Sequence, residues 1–104
     1  MEQKTPTTSL DRDTVIETIR AQRAELERRG ITRVRLFGSV ARGEPNASDV
    51  DLLVEFDHGV GLFELGGTQV FFEDLLQCSV DLGLVTMLRE EIRDAVLAEA
   101  VDVA

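Results

Sequence analysis

The segment from Gly38 to Val54 carries the strongest structural signal in this 104-residue chain. It begins with a Gly-Ser turn directly after the alternating run 33–37, and it ends inside a second alternating run, 50–56. Alternation of apolar and polar residues is typical of half-buried β-strands. The segment therefore predicts two strands joined by a loop or a short turn of helix. Asp49 and Asp51 are two positions apart, so both are expected on one face of the second strand.

The turn and the aspartates together suit the binding of a metal–nucleotide complex. Backbone N–H groups at Gly38 and the hydroxyl of Ser39 can bind phosphates. Arg42 can place a planar cation against the same phosphates. Asp49 and Asp51 crowd negative charge, which a divalent cation would relieve by accepting their oxygens as ligands. Each feature alone is typical of an ordinary surface, whereas the combination at this spacing points to a nucleotide site.

A third carboxylate, Asp81, lies in a further alternating run, 79–85. It would join Asp49 and Asp51 if the two strands are neighbours in the sheet. Three carboxylates can hold two metal ions, one at the leaving phosphates and one at the attacking oxygen. The predicted chemistry is of the phosphoryl-transfer type, in which a hydroxyl attacks the α-phosphate of a nucleotide and pyrophosphate leaves.

Helical periodicity fills the rest of the chain. We expect a helix over 13–29 that is capped by Asp11 or Asp13 and ends at Gly30. A second helix is expected over 62–77, with core candidates Leu62, Leu65, Phe72, Leu75 and Leu76, and a last helix near 88–99 with Thr86 as its cap. Helices alternating with three strands predict an α+β (α/β-like) domain with a small mixed β-sheet flanked by helices. Residues 1–10 are expected to be a disordered lead-in, and 11–104 a single domain.

Composition narrows the classes of protein to which the chain can belong. The net charge of −9 argues against direct binding of nucleic acid. The single cysteine, Cys78, excludes an intrachain disulfide. No apolar run reaches the roughly 20 residues that span a bilayer, and the polar N-terminus lacks a signal-peptide core. A cytoplasmic protein without membrane contact is the expectation.

The motifs resemble those of the polymerase-β-like nucleotidyltransferase superfamily. Gly38-Ser39 is followed after nine residues by Asp49-Val50-Asp51-Leu52-Leu53-Val54. Ala41-Arg42-Gly43, Ser48-Asp49 and Val80-Asp81-Leu82 narrow the resemblance to minimal nucleotidyltransferases (MNT), the antitoxins of HEPN–MNT toxin–antitoxin pairs. The resemblance covers residues 13–103. One departure is visible, because Gly43 and Ser48 enclose four residues where many relatives have five.

The resemblance implies a nucleotidyltransferase core fold and a Mg²⁺-dependent transfer of AMP from ATP. It implies that Gly38 and Ser39 lie at the triphosphate and that Asp49 and Asp51 ligate Mg²⁺. Asp81 matches the third carboxylate, which ligates metal, with two ions expected, and helps to activate the attacking hydroxyl. The implied acceptor is a tyrosine of a HEPN ribonuclease toxin, the expected partner, which the transfer neutralises.

Two further functions stay open at this stage. The first is nucleotidyl transfer to a small molecule or to RNA, against which the low basicity and the lack of room for an acceptor domain both argue. The second is a non-catalytic antitoxin that neutralises its toxin by binding alone, and the intact set of three aspartates disfavours it. The sequence contains no Tyr, which excludes self-modification on tyrosine.

Overall fold

The computed structural model describes residues 11–44, 47 and 49–104. Its elements in chain order are α1 (Arg12–Arg20), α2 (Arg23–Arg28), β1 (Ile31–Phe37), α3 (Gly38–Ala41), β2 (Asp49–Phe56), α4 (Leu62–Leu76), β3 (Ser79–Leu84), a 3-10 turn (Val85–Met87), α5 (Glu90–Glu99) and β4 (Val101–Asp102). The expected disordered lead-in, 1–10, lies outside the described residues. The same holds for Pro45, Asn46 and Ser48 of the loop before β2.

The described strands form one mixed sheet in the order β3-β2-β1-β4. Strand β1 pairs antiparallel with β2 and with β4, whereas β2 and β3 are parallel. Parallel strands need a crossover connection, and α4 supplies it. The predicted α+β class and the mixed sheet flanked by helices are confirmed. The prediction lacks β4, because a strand of two residues is too short to show alternation.

The hydrophobic core lies between one face of the sheet and the helices. Val34 and Leu36 of β1 and Val50, Leu52 and Val54 of β2 are all fully buried. They belong to the same core cluster as Ile19, Leu26, Phe72, Val80 and Val103. The alternation that predicted β1 and β2 therefore arises from burial of this face, and the aspartates occupy the other face.

The prediction of one continuous helix over 13–29 is wrong, because this segment forms two separate helices, α1 and α2. At the break the N–H of Gln22 donates to the carbonyl of Ile19 at 3.0 Å, a tight turn that ends α1. Asp11 is confirmed as the cap, since its side chain accepts from the Thr14 N–H at 3.0 Å. Gly30 is confirmed as the terminator and adopts a φ of +78°.

Helix α4 confirms the predicted helix to within one residue at its end. Gln77 follows it in the left-handed conformation with a φ of 56°. Phe72 is buried as expected, but Leu62 is 87% exposed, so its place among the core candidates is wrong. None of the helices in the described ranges, α4 included, is long and apolar enough to cross a membrane.

The chain after β3 departs from the prediction in two places. The 3-10 turn Val85–Met87 contains Thr86, so Thr86 does not cap the last helix. That helix, α5, begins at Glu90 after an extended Arg89. It buries no residue fully, and Ile92, one of the apolar residues whose spacing predicts this helix, is 46% exposed. Its apolar spacing predicted a helix correctly but overstated how deeply the helix packs.

Candidate functional site

The turn between β1 and α3 forms one wall of the candidate site. Phe37 ends β1 in an extended conformation, and Gly38 then reverses the chain with a φ of +78°. Phe37 is the cross-strand partner of Asp51, which brings the turn beside that aspartate. A Cβ atom at Gly38 would collide with the Asp51 carboxylate. Glycine is therefore favoured here by its backbone conformation, and any side chain at this position would also have to displace the Asp51 carboxylate.

The parallel pairing of β2 and β3 brings the predicted carboxylates together. Asp51 is in register with Asp81, and Asp49 is in register with Ser79. Neighbouring strands lie about 4.8 Å apart, and paired residues point to the same face. The strand register thus places Asp49, Asp51 and Asp81 on the sheet face opposite the core. Asp49 and Asp81 are exposed, whereas Asp51 is half-buried between them and the Gly38 turn.

The charges at this site repel one another. Burial raises the pKa of Asp51, and the carboxylates of Asp81 and Asp49 raise it further. The guanidinium of Arg42 acts in the opposite direction and lowers the Asp51 pKa. Three acids and one cation leave an excess of negative charge, which a bound divalent cation would offset.

Arg42 lies at the end of α3 but is engaged with carboxylates of the protein. Its Nε donates to Glu44 at 2.8 Å, and a terminal nitrogen lies 3.5 Å from an oxygen of Glu99 in α5. Glu44 and then Glu99 raise the pKa of Arg42. These contacts use two of the three guanidinium nitrogens and leave the side chain 49% exposed, so the role of Arg42 in phosphate binding stays a prediction.

Ser39 is the second residue of α3 and is half-buried. Its carbonyl accepts a hydrogen bond from the N–H of Glu44 at 3.0 Å, which folds the following loop back onto the turn. The first turn of any helix leaves its N–H groups without intrahelical acceptors. These groups and the Ser39 hydroxyl are suitable donors to an anion, and their binding of phosphate stays a prediction.

The carboxylates of this face suit a Mg²⁺ ion that is bound together with its substrate. Among the residues that the structure describes, no three His, Cys, Asp or Glu side chains are grouped so that they hold a metal ion by themselves. Mg²⁺ is commonly bound by one or two carboxylates, and water and substrate phosphates complete its shell. Asp49 and Asp51, on one strand face beside the Gly38 turn, fit such a site. The ligand roles of Asp49, Asp51 and Asp81 remain predictions.

The structure adds one supporting residue that the sequence pattern does not reveal. Arg12, in the first turn of α1, donates from a terminal nitrogen to the carbonyl of Ala41 at 3.2 Å. This bond joins α1 to the last residue of α3 and so supports the turn that begins at Gly38. Arg12 is 29 residues from Ala41 in sequence, and no local motif marks the contact.

Comparison with known proteins identifies the family. The sequence model of the nucleotidyltransferase domain family matches residues 16–103 of this chain. The chain is 39% identical over 83 residues to the protein adenylyltransferase MntA of Thermococcus cleftensis, covering 78% of this chain and 84% of that protein. A solved structure described as a “putative minimal nucleotidyltransferase” superposes with a TM-score of 0.75 at 38% identity, covering 91% of this chain and 98% of the other.

A further solved structure shares the fold at low sequence identity. It is a complex of a tri-AMPylated HEPN toxin of Shewanella oneidensis with an MNT antitoxin. The match has a TM-score of 0.66 at 15% identity and covers 89% of this chain and 71% of the matched chain. The predicted nucleotidyltransferase core is thus confirmed. With its fold and nearly all of its described sequence matched, this chain belongs to the nucleotidyltransferase domain family.

Proposed function

We propose that this chain is an antitoxin of the protein adenylyltransferase type. It transfers AMP from ATP to a tyrosine hydroxyl of a partner HEPN ribonuclease and thereby neutralises that toxin. The observation that carries the proposal is the register of β2 and β3, which sets Asp81 beside Asp51 on the face that also bears Asp49. The relatives supply the class of acceptor, since one is named a protein adenylyltransferase and another was solved with an AMPylated HEPN toxin.

Asp49 and Asp51 would hold Mg²⁺ in this proposal. Asp81 would serve as a further ligand from the neighbouring strand, and three carboxylates can together hold a second ion. Bound there, Mg²⁺ would offset the negative charge of the triphosphate and of the departing pyrophosphate. The repulsion that raises the Asp51 pKa supports this assignment, because the bare site is short of positive charge.

The residues of the chain then divide the work of the transfer. The N–H groups of the Gly38 turn and the Ser39 hydroxyl bind the outer phosphates, and Arg42 adds a cation beside them. The tyrosine oxygen forms a bond to the α-phosphorus. At the same time the bond breaks between the α-phosphorus and the oxygen that bridges it to the β-phosphorus. Pyrophosphate leaves with the electron pair of that bond, and Asp81 accepts the proton of the tyrosine hydroxyl as the general base.

The acceptor is supplied by another molecule in this scheme. The sequence contains no Tyr, so a tyrosine acceptor cannot belong to this chain. Asp49 and Asp81 are exposed, and the carboxylate face is therefore open to a side chain that a second protein presents. An exposed site of this kind also agrees with the need for a large acceptor to reach the α-phosphate.

The experiment is incubation of the purified chain with a HEPN partner, to be sought in the adjacent reading frame, together with ATP and Mg²⁺, followed by intact mass measurement. We expect the partner to gain the mass of one or more AMP units and to lose its ribonuclease activity. Asp49→Asn and Asp51→Asn should lower the transfer rate by about a hundredfold or more, since loss of even an outer-shell metal partner often costs 10–100-fold. Glu27→Gln is the matched control, because Glu27 is an exposed acid on α2, away from the carboxylate face.

The same measurement separates the proposed function from its alternatives. A partner that is neutralised without any gain in mass would show that the chain acts by binding alone. A gain in mass that Asp49→Asn and Asp51→Asn leave unchanged would show that the carboxylate face is not the site of transfer. Transfer to a free small molecule or to RNA, with the HEPN protein unmodified, would place the acceptor in a different class.

A further inference from the structure

Helix α4 exposes an apolar face that no described residue covers. Phe63 is completely exposed, at 100%, and Val70 is 55% exposed. Positions 63 and 70 are two helical turns apart, so both side chains lie on one side of α4. The opposite side carries the buried Thr68 and Phe72. The helix is therefore apolar on both sides although only one side contacts the core.

Two glycines lie between these exposed side chains. A Cβ atom at Gly66 or at Gly67 would meet nothing within 4 Å, and neither residue has a positive φ. Glycine is less favourable than alanine inside a helix, yet nothing in the described chain requires it at these positions. We call Phe63, Gly66, Gly67 and Val70 the Phe63 face. It forms a shallow notch with an apolar side chain at each end.

The charges around the Phe63 face indicate its partner. Helix α4 carries Glu64, Glu73 and Asp74 but no Lys or Arg. Helices that lie on membranes are rich in Lys and Arg, so an anionic lipid surface is disfavoured. A second copy of this chain would bring another net charge of −9 and an equally acidic α4. A different protein with basic residues beside an apolar ridge complements both the charge and the shape.

We infer that the Phe63 face docks a helix of the protein acceptor, with an apolar ridge that enters the notch at Gly66 and Gly67 and with Lys or Arg beside Asp74. This inference rests on the proposed function in one respect, namely that the acceptor is a protein. Ridges of one helix pack into grooves of another, and a pair of small residues allows close approach. The exposed Phe63 is then an aromatic anchor of the kind that dominates binding energy at interfaces.

The sharpest test uses substitutions that strengthen the free chain while filling the notch. The double variant Gly66→Ala, Gly67→Ala should raise the Tm of the free chain, because alanine favours the helix and meets no neighbour. The same variant should weaken binding to the HEPN partner by about tenfold, as overpacking does in other close-packed sites. Titration calorimetry with that protein measures the affinity.

A second variant tests the aromatic anchor. Phe63→Glu should leave the Tm unchanged, because the side chain is fully exposed in the free chain. It should raise KM for the HEPN protein at least tenfold and leave kcat near the original value, since a docking residue does not contact the reacting atoms. Met87→Glu, at a 61% exposed methionine outside α4, is the matched control and should change neither parameter.

The possible outcomes distinguish this inference from the proposed function. Unchanged affinity in both the glycine and the Phe63 variants, with AMP transfer intact, would overturn the inference and leave the proposed function standing. Weakened binding in both variants without any AMP transfer by the original chain would support the docking face and contradict the proposed function. Self-association of the free chain that Phe63→Glu abolishes, seen by sedimentation, would identify a second copy as the occupant and overturn the inference.

Discussion

Gly38 occupies a position that any other residue type would fill with strain. Its φ of +78° lies in the left-handed region, and a Cβ atom there would collide with the Asp51 carboxylate. Gly43 has a similar φ of +75° but open space around its Cβ position. Both glycines therefore need a left-handed backbone conformation, but only Gly38 also lies against Asp51.

This pair gives a prediction at the scale of one residue. Gly43→Ala should lower the free energy of unfolding by about 1–2 kcal/mol, the usual cost of a left-handed alanine. Gly38→Ala should lower it by about 1–3 kcal/mol more, because an atom is forced into an occupied space. Urea unfolding of both variants measures the difference. Equal losses would show that the Asp51 carboxylate moves away at little cost and that its contact with the turn does not constrain residue 38.

Asp51 gives a second prediction at this scale. Burial and the charges of Asp81 and Asp49 raise its folded-state pKa above the ordinary value of 3.8. The folded state therefore holds the proton more tightly than the unfolded state, and stability falls as the pH rises from 3.8 through the raised pKa. Asp51→Asn removes this loss, so in EDTA the variant should have the higher Tm at pH 7.

The gap in Tm between Asp51→Asn and the original chain should close as the pH falls below that window. Mg²⁺ should raise the Tm of the original chain at pH 7 and should raise that of Asp51→Asn much less, because binding to the folded state stabilises it. Thermal unfolding followed by circular dichroism, across pH and with and without Mg²⁺, measures both effects. A lower Tm for Asp51→Asn in EDTA at pH 7 would contradict the electrostatic argument.

At the scale of the element, the sequence predicts what periodicity controls and misses what packing controls. The strands β1 to β3 and helix α4 follow from alternation and spacing, because each has one face in the core. The division between α1 and α2 depends on a tight turn at Gln22, and helical spacing does not reveal it. Helix α3 and strand β4 are too short to show a period.

The candidate site shows the same limit. The Gly38 turn and the aspartates of β2 are close in sequence, so their spacing is enough to predict a nucleotide site. The approach of Asp81 to Asp51 depends on the pairing of β2 with β3, which α4 separates in sequence, and residue spacing does not determine which strands pair. The ion pair of Arg42 with Glu99 in α5 joins residues 57 apart, and no pattern predicts it.

The connection between β2 and α4 gives a prediction at the element scale. His58, in the connection after β2, has both ring nitrogens 2.7 Å from carboxylate oxygens, those of Asp57 and Glu64. Asp57 first and then Glu64 raise the pKa of His58 above 6.5. The protonated ring thereby fastens the first turn of α4 to the end of β2.

The stabilisation from His58 is fully present below pH 6.5 and is lost as the pH rises through the raised pKa. His58→Gln should therefore lower the Tm at pH 6 and leave it unchanged at a pH above the raised value. Thermal unfolding of both proteins across this range checks the sign. A deficit in Tm that is constant with pH would show that the charge of His58 does not contribute.

At the scale of the whole molecule, the site and the Phe63 face are separate surfaces of the described chain. The carboxylates lie where β2 and β3 begin, and Phe63 lies in the first turn of α4, which leads back from the far end of β2. The 15 residues of α4 correspond to about 22 Å at 1.5 Å per residue. A protein acceptor is large enough to contact both surfaces, whereas a free nucleotide or metabolite is not.

The most direct test of the proposed transfer follows the phosphorus of ATP. The chain and the HEPN protein are incubated with Mg²⁺ and with ATP labelled on either the α- or the γ-phosphate. We predict that label from the α-phosphate becomes attached to the HEPN protein and that label from the γ-phosphate is released as pyrophosphate, with both signals lost in Asp49→Asn. Attachment of the γ-label, or of neither label, would contradict AMP transfer by the carboxylate face.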